Sequence, residues 1–115
     1  MNKSAPNSQF GVFCSALLLS FGLVYHAKAD VGIAEQIAKA DVGYGEYLAG
    51  ECVTCHRNQG AGIPKINGIE AETFVTIMQA YRSKALNNNV MQMVAGRLDD
   101  EQIISLAAYF SSLPE

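Results

Sequence analysis

Two thiols and an imidazole stand within five positions of one another, in the run Cys52-Val53-Thr54-Cys55-His56. C-x-x-C-H is the attachment signature of a c-type haem. Two cysteines three apart at a helix end offer both sulfurs to one edge of a porphyrin, where they add to its two vinyl groups. The adjacent histidine then points at the iron from one face. The same residues are open to two other uses. A thioredoxin-like dithiol needs a βαβ setting, and no strand of useful length is legible in this chain. A zinc site needs a second pair of ligands, and no Cys or His follows position 56. The spacing therefore predicts one haem c, carrying one iron, held by Cys52 and Cys55 with His56 as a metal ligand.

The rest of the sequence bounds what such a site could serve. The chain has 115 residues, half of them hydrophobic and 17% charged. That is too apolar for a disordered chain and too short for a multi-domain enzyme. A formal charge of -3 leaves nothing to neutralise a row of phosphates, so no nucleic-acid partner is expected. Residues 1–29 read as a secretory signal. Lys3 precedes a run of 14 apolar and small residues at 12–25, and Ala27-Lys28-Ala29 fits a small-x-small cleavage site. Fourteen residues fall short of the ~20 that span a bilayer, so no stable membrane span is expected once the signal is removed. Cys14 lacks the small preceding residue of a lipid-anchor site, because Phe13 stands there.

Cleavage after Ala29 leaves residues 30–115, which is 86 of the 115, as the single domain. Lys3 and Lys28 depart with the signal, moving the charge from -3 to -5. An export signal also suits the chemistry, because c-type haem is attached outside the cytoplasm. A periplasmic location is expected. So short a chain has a marginal core of its own, and a buried flat macrocycle would enlarge it.

His56 is the only histidine after residue 29. Ligation by two histidines of one chain is therefore excluded. The sixth position of the iron goes to a methionine, to a rarer group or to nothing. Three methionines qualify by position: Met78, Met91 and Met93. Met78 lies on an apolar helical stripe, where methionine usually fills core. Met91 and Met93 lie in a charge-free stretch read as a loop.

Several elements must position these groups. Residues 30–40 form a short leading helix or an extension. Residues 41–52 form a helix with Asp41 as N-cap, although Gly45 in its interior costs about 1 kcal/mol against Ala. Residues 57–68 are loop, with Gly60, Gly62, Pro64 and Gly68. Residues 70–83 form a second helix with Phe74, Ile77, Met78 and Tyr81 on one stripe, halted by Asn87-Asn88-Asn89. Residues 99–113 form the third, opened by an Asp99–Gln102 capping box and buried through Ile103, Leu106, Ala107 and Phe110. Leu113-Pro114 ends it. The fold class is all-α with long loops.

These residues together resemble class I cytochrome c. The likeness runs from Gly45 and Leu48 through the Cys52–His56 motif, Ile63-Pro64-Lys65-Ile66-Asn67-Gly68 and Val90-Met91. It continues through Leu98-Asp99-Asp100-Glu101-Gln102-Ile103 to Leu106-Ala107-Ala108-Tyr109-Phe110. Within that class the chain is most similar to the short monohaem cytochrome subunit of flavocytochrome c sulfide dehydrogenase. The resemblance implies three to four helices wrapped round one covalent haem. It implies Met91 as the second axial ligand, eight residues before Asp99. It implies that the Pro64 carbonyl accepts a hydrogen bond from the axial His56. Leu106 and Tyr109 of the last helix would meet Gly45 and Leu48 of the first. The chain has no tryptophan to hold a haem propionate, which leaves Tyr81 or Arg82 for that task.

The expected role is one-electron transfer without catalysis, with a redox protein as partner. The resemblance favours the haem subunit of a complex, taking electrons from a flavoprotein. A free diffusible shuttle and a five-coordinate haem enzyme or gas sensor are the alternatives. Residues 58–64 and 85–96 carry no charge, so the face near the haem edge is expected to be neutral.

Overall fold

The structure, a computed structural model, describes residues 31–57, 60 and 62–115. The predicted signal at 1–29, with Cys14 and His26, lies outside the described residues. Among the described residues five helices follow in order: α1 Ile33–Ala38, α2 Val42–His56, α3 Ala71–Arg82, α4 Asn89–Ala95 and α5 Asp100–Ser112. The class is all-α, as expected, with five helices in place of three to four. Among the described residues the only β-type pairing is a single bridge between Gly60 and Ile63.

Helix starts follow the capping residues. The Asp41 carboxylate accepts from the Tyr44 N–H at 2.9 Å and opens α2. Asp99 and Gln102 form a reciprocal capping box at α5, with bonds of 2.8 and 3.0 Å. Glu70 caps α3 by accepting from the N–H groups of Glu72 and Thr73. These bonds hold its carboxyl below the ordinary glutamate value, the Thr73 contact contributing most.

Two boundaries differ from expectation. The second predicted helix ends at Arg82, where Lys84 adopts a left-handed φ of 63° and the Ala85 N–H returns to the Ala80 carbonyl. The three asparagines do not halt it. They open another helix instead, because Asn88 accepts from the Met91 N–H at 3.0 Å. An asparagine that disfavours a helix interior is among the best N-caps. The stretch read as a loop is therefore helix α4.

α5 is the centre of the fold, packed by α1, α2 and α3. Ile103, Ile104, Leu106, Ala107, Ala108 and Phe110 are all buried, a wider set than one stripe because neighbours cover it from several sides. Fully burying an Ile, Leu or Phe contributes roughly 1.5–3 kcal/mol. Phe74 of α3 stacks on Phe110 with ring centroids 5.7 Å apart. Val75, absent from the predicted stripe, is completely buried because α3 packs against both α5 and α4.

α2 crosses α5 at Gly45. A Cβ there would stand 2.7 Å from the Ser105 carbonyl carbon and 2.9 Å from Tyr109 Cβ. Tyr109 is the aromatic expected at this crossing. The closest approach, however, is to the backbone of Ser105 and not to Leu106. A helix-interior glycine is retained because the two backbones touch.

Candidate haem-binding site

The last turns of α2 carry Cys52, Cys55 and His56. α2 runs four residues beyond the predicted end, so the whole motif is helical. Cys52 and Val53 are half-buried and pack on the core, whereas Thr54 and Cys55 face outward. Neither described cysteine is in a disulfide. Burial pushes the Cys52 thiol up, and the neighbouring Glu51 carboxylate adds to the effect. A redox dithiol draws its low pKa from a helix N-terminus or a nearby cation. This pair sits at a helix C-terminus, where the dipole opposes thiolate formation, so the geometry disfavours the thioredoxin-like use.

His56 is oriented by the loop that follows. Its Nδ1 lies 2.7 Å from the Pro64 carbonyl oxygen. A carbonyl only accepts, so Nδ1 carries the proton of this bond. In the neutral ring Nε2 then presents a lone pair, which is the form that binds a metal. The loop itself is anchored to the core. The Gly68 N–H donates to the Phe110 carbonyl at 2.9 Å, and Gly68 turns the chain with a φ of +73°. Phe110 is fully buried, so the acceptor that aims His56 is referenced to the centre of the fold.

The methionines are separated by helix packing. Met78 is buried in α3 among the core residues. Met91 is half-buried and packs against the core cluster, whereas Met93 is 62% exposed. Two residues apart on a helix differ by roughly 200° in direction, so α4 turns one sulfur inward and the other to solvent.

The arms that carry these groups are distinct. α2 packs against α5, and α4 packs against α3; α2 and α4 do not pack on each other. Glu51 of α2 and Arg97, in the turn past the end of α4, form an exposed ion pair at 3.6 Å. Among the described residues no three His, Cys, Asp or Glu side chains cluster as a metal site. The donor set therefore suits a group that brings its own equatorial ligands: two thiols for attachment, one imidazole with its free nitrogen, and a thioether from a separate arm. The residues present fit a covalent haem.

Arg82, one of two residues considered for a propionate, is otherwise engaged. Its guanidinium donates to the Leu98 carbonyl and to the Asp100 carboxylate. Tyr81 is half-buried against the core. Sequence reasoning missed the Arg82 contacts, the Ser105 crossing and the Asn88 cap. Only the last had a local signal, an asparagine three residues before an inward apolar side chain.

Comparison with known proteins agrees with this geometry. The family model described as cytochrome c matches residues 40–114. Cytochrome c-554(548) of Halomonas halodenitrificans is 37% identical over 75 residues, covering 59% of this chain and 90% of that protein. Proteins named thiosulfate dehydrogenase electron acceptor, from Stutzerimonas stutzeri and Thiomonas intermedia, are 34% and 31% identical over 68 and 70 residues. Those matches cover 55% and 56% of this chain but 32% of each relative, so the chain spans about a third of their length.

Proposed function

The chain belongs to the cytochrome c family, and from that premise we propose that it is an exported electron carrier with one haem, attached through Cys52 and Cys55 and ligated by His56 and Met91. As a family member it binds haem c covalently and carries electrons without catalysing a reaction. When bound, the iron supplies a one-electron couple. The protein's own residues set how it is used. The contact that carries this reading is the 2.7 Å bond between His56 Nδ1 and the Pro64 carbonyl. It fixes the imidazole tautomer and strengthens Nε2 as a ligand. The inward sulfur of Met91 would let α4 supply a second protein ligand to the iron. A methionine ligand would raise the potential relative to a second histidine and would leave no open position for small ligands, which speaks against the sensor and enzyme alternatives.

The domain at 30–115 is the electron carrier, and 1–29 is its export signal to the periplasm. The partner reading is a dehydrogenase of reduced sulfur compounds. Resemblance to the cytochrome subunit of flavocytochrome c sulfide dehydrogenase favours a flavoprotein partner. Two relatives named as electron acceptors of thiosulfate dehydrogenase support a second donor of the same sulfur class. Among the described residues no helix is long and apolar enough to cross a membrane.

Denaturing electrophoresis of the native protein tests the attachment. Haem-linked peroxidase stain is expected to stay on the band after acid–acetone extraction, and loss of the stain rejects thioether bonds. Co-purification from periplasm, with mass spectrometry of the partner, tests the donor. A flavoprotein supports the subunit reading, a thiosulfate dehydrogenase supports the second, and recovery of the free cytochrome alone supports the diffusible shuttle.

A further inference from the structure

α4 is seven residues long, too short to hold its place by its own hydrogen bonds. Among the described helices it packs against α3 alone. Its start is secured by the Asn88 cap and by Gln92, whose Nε2 donates to the Leu86 carbonyl at 2.8 Å. Past Ala95 the chain turns, with the Arg97 and Leu98 N–H groups donating to Val94 and Ala95, and enters α5 at Asp100. Arg82, the last residue of α3, reaches this turn from outside. Its Nη1 donates to the Leu98 carbonyl at 3.2 Å and its Nη2 to the Asp100 carboxylate. One planar fork spans the turn, a geometry that a lysine cannot reproduce.

We propose that Arg82 is a positioning residue for the sixth ligand: by gripping Leu98 and Asp100 it fixes the far end of α4 and keeps Met91 on the iron. The proposal rests on the reading of Met91 as that ligand. It gives Arg82 a task other than holding a propionate. A thioether is a neutral, weakly held ligand, so its occupancy depends on how tightly its arm is ordered. Loosening the turn raises the fraction of molecules with the sulfur released. An external ligand that needs the open position gains apparent affinity in the same proportion. Losing a hydrogen bond to a charged group corresponds to about tenfold or more in that fraction.

The experiment is a carbon monoxide titration of the ferrous holoprotein. The variants are Met91→Ala, Arg82→Lys, Asp100→Asn and, as a destabilised control, Ile104→Val. Met91→Ala is expected to bind carbon monoxide far more tightly than wild type. Arg82→Lys is expected to gain about tenfold while keeping its covalent haem and helical circular dichroism. Asp100→Asn should gain less, because the Leu98 bond survives. Ile104→Val should lower the unfolding midpoint without changing the affinity. A folded Arg82→Lys protein whose affinity is unchanged overturns the positioning role, as does an Ile104→Val variant that gains as much. If Arg82→Lys does not fold, an unchanged Asp100→Asn overturns the role instead. A Met91→Ala variant with unchanged affinity overturns the ligand reading itself, and that failure is distinct from the others.

Discussion

Gly45 of α2 lies directly on the backbone of Ser105 in α5, leaving no room for a Cβ: the added atom would be 2.7 Å from the Ser105 carbonyl carbon. Neighbouring backbone, unlike the tip of a flexible side chain, cannot step aside. The two helices must separate to admit a methyl group, and α2 is the element that carries Cys52, Cys55 and His56.

Gly45→Ala is therefore expected to destabilise the holoprotein. Overpacking costs typically 1–3 kcal/mol, and the better helix propensity of alanine returns only about 1 kcal/mol. Gly50, in the same helix, has nothing within 4 Å of an added Cβ. Gly50→Ala should stabilise by up to about 1 kcal/mol. Guanidinium unfolding of both variants checks the pair, and equal effects of one sign would contradict the close crossing.

Met91→Ala should abolish the weak near-infrared band from sulfur to ferric iron. Met93→Ala should leave it in place, because Met93 is 62% exposed while Met91 packs on the core. If the Met93 variant alone loses the band, α4 holds the iron through its other face. Absorption spectra of the two oxidised variants decide the matter.

Glu70 gives α3 an acid-sensitive cap. Its folded pKa lies below the ordinary 4.5, chiefly through the bond from Thr73. The cap therefore contributes fully above that ordinary value, and its contribution is lost as pH falls through the lower folded pKa. Thermal midpoints of wild type and Glu70→Gln are expected to differ near neutrality and to converge as pH falls below the ordinary glutamate value and through the lower folded one. A constant gap across that range would show that the charge of Glu70 contributes nothing.

The face around α4 predicts how the protein docks. Residues 85–96 carry no charge, and Val90 and Met93 are 60% and 62% exposed, with Leu86 nearby in sequence at 39%. The other neutral segment, 58–64, is described at Gly60 and Gly62–Pro64, while Asn58, Gln59 and Ala61 lie outside the described residues. A neutral, apolar face relies on burial rather than on long-range steering. Stopped-flow electron transfer with the physiological donor should therefore depend weakly on ionic strength. A fall of about tenfold or more from low to high salt, as steering gives, would point to a charge-guided shuttle.

Much of this was legible in the sequence because its signals are local. The haem motif is contiguous, with chemistry that follows from five residues. Asp41, Asp99 and Gln102 announce the starts of α2 and α5 because a cap acts over three residues. The stripe of α5 needs only a period of 3.6, and the all-α class follows from such stripes with no strand between them. Other features depend on residues far apart in the chain. α4 was hidden because three asparagines stop a helix as readily as they start one, and the packing of α4 on α3 decides which use prevails. The choice between Met91 and Met93 depends on which face of α4 that packing turns inward. The partner of Gly45 is Ser105, sixty positions away, because close contact goes to the backbone at the crossing point and not to the larger side chain beside it. Arg82 has no sequence signal for its hold on Leu98 and Asp100, since a carbonyl acceptor exists at every residue. Only the tertiary structure decides which one comes within reach of the guanidinium.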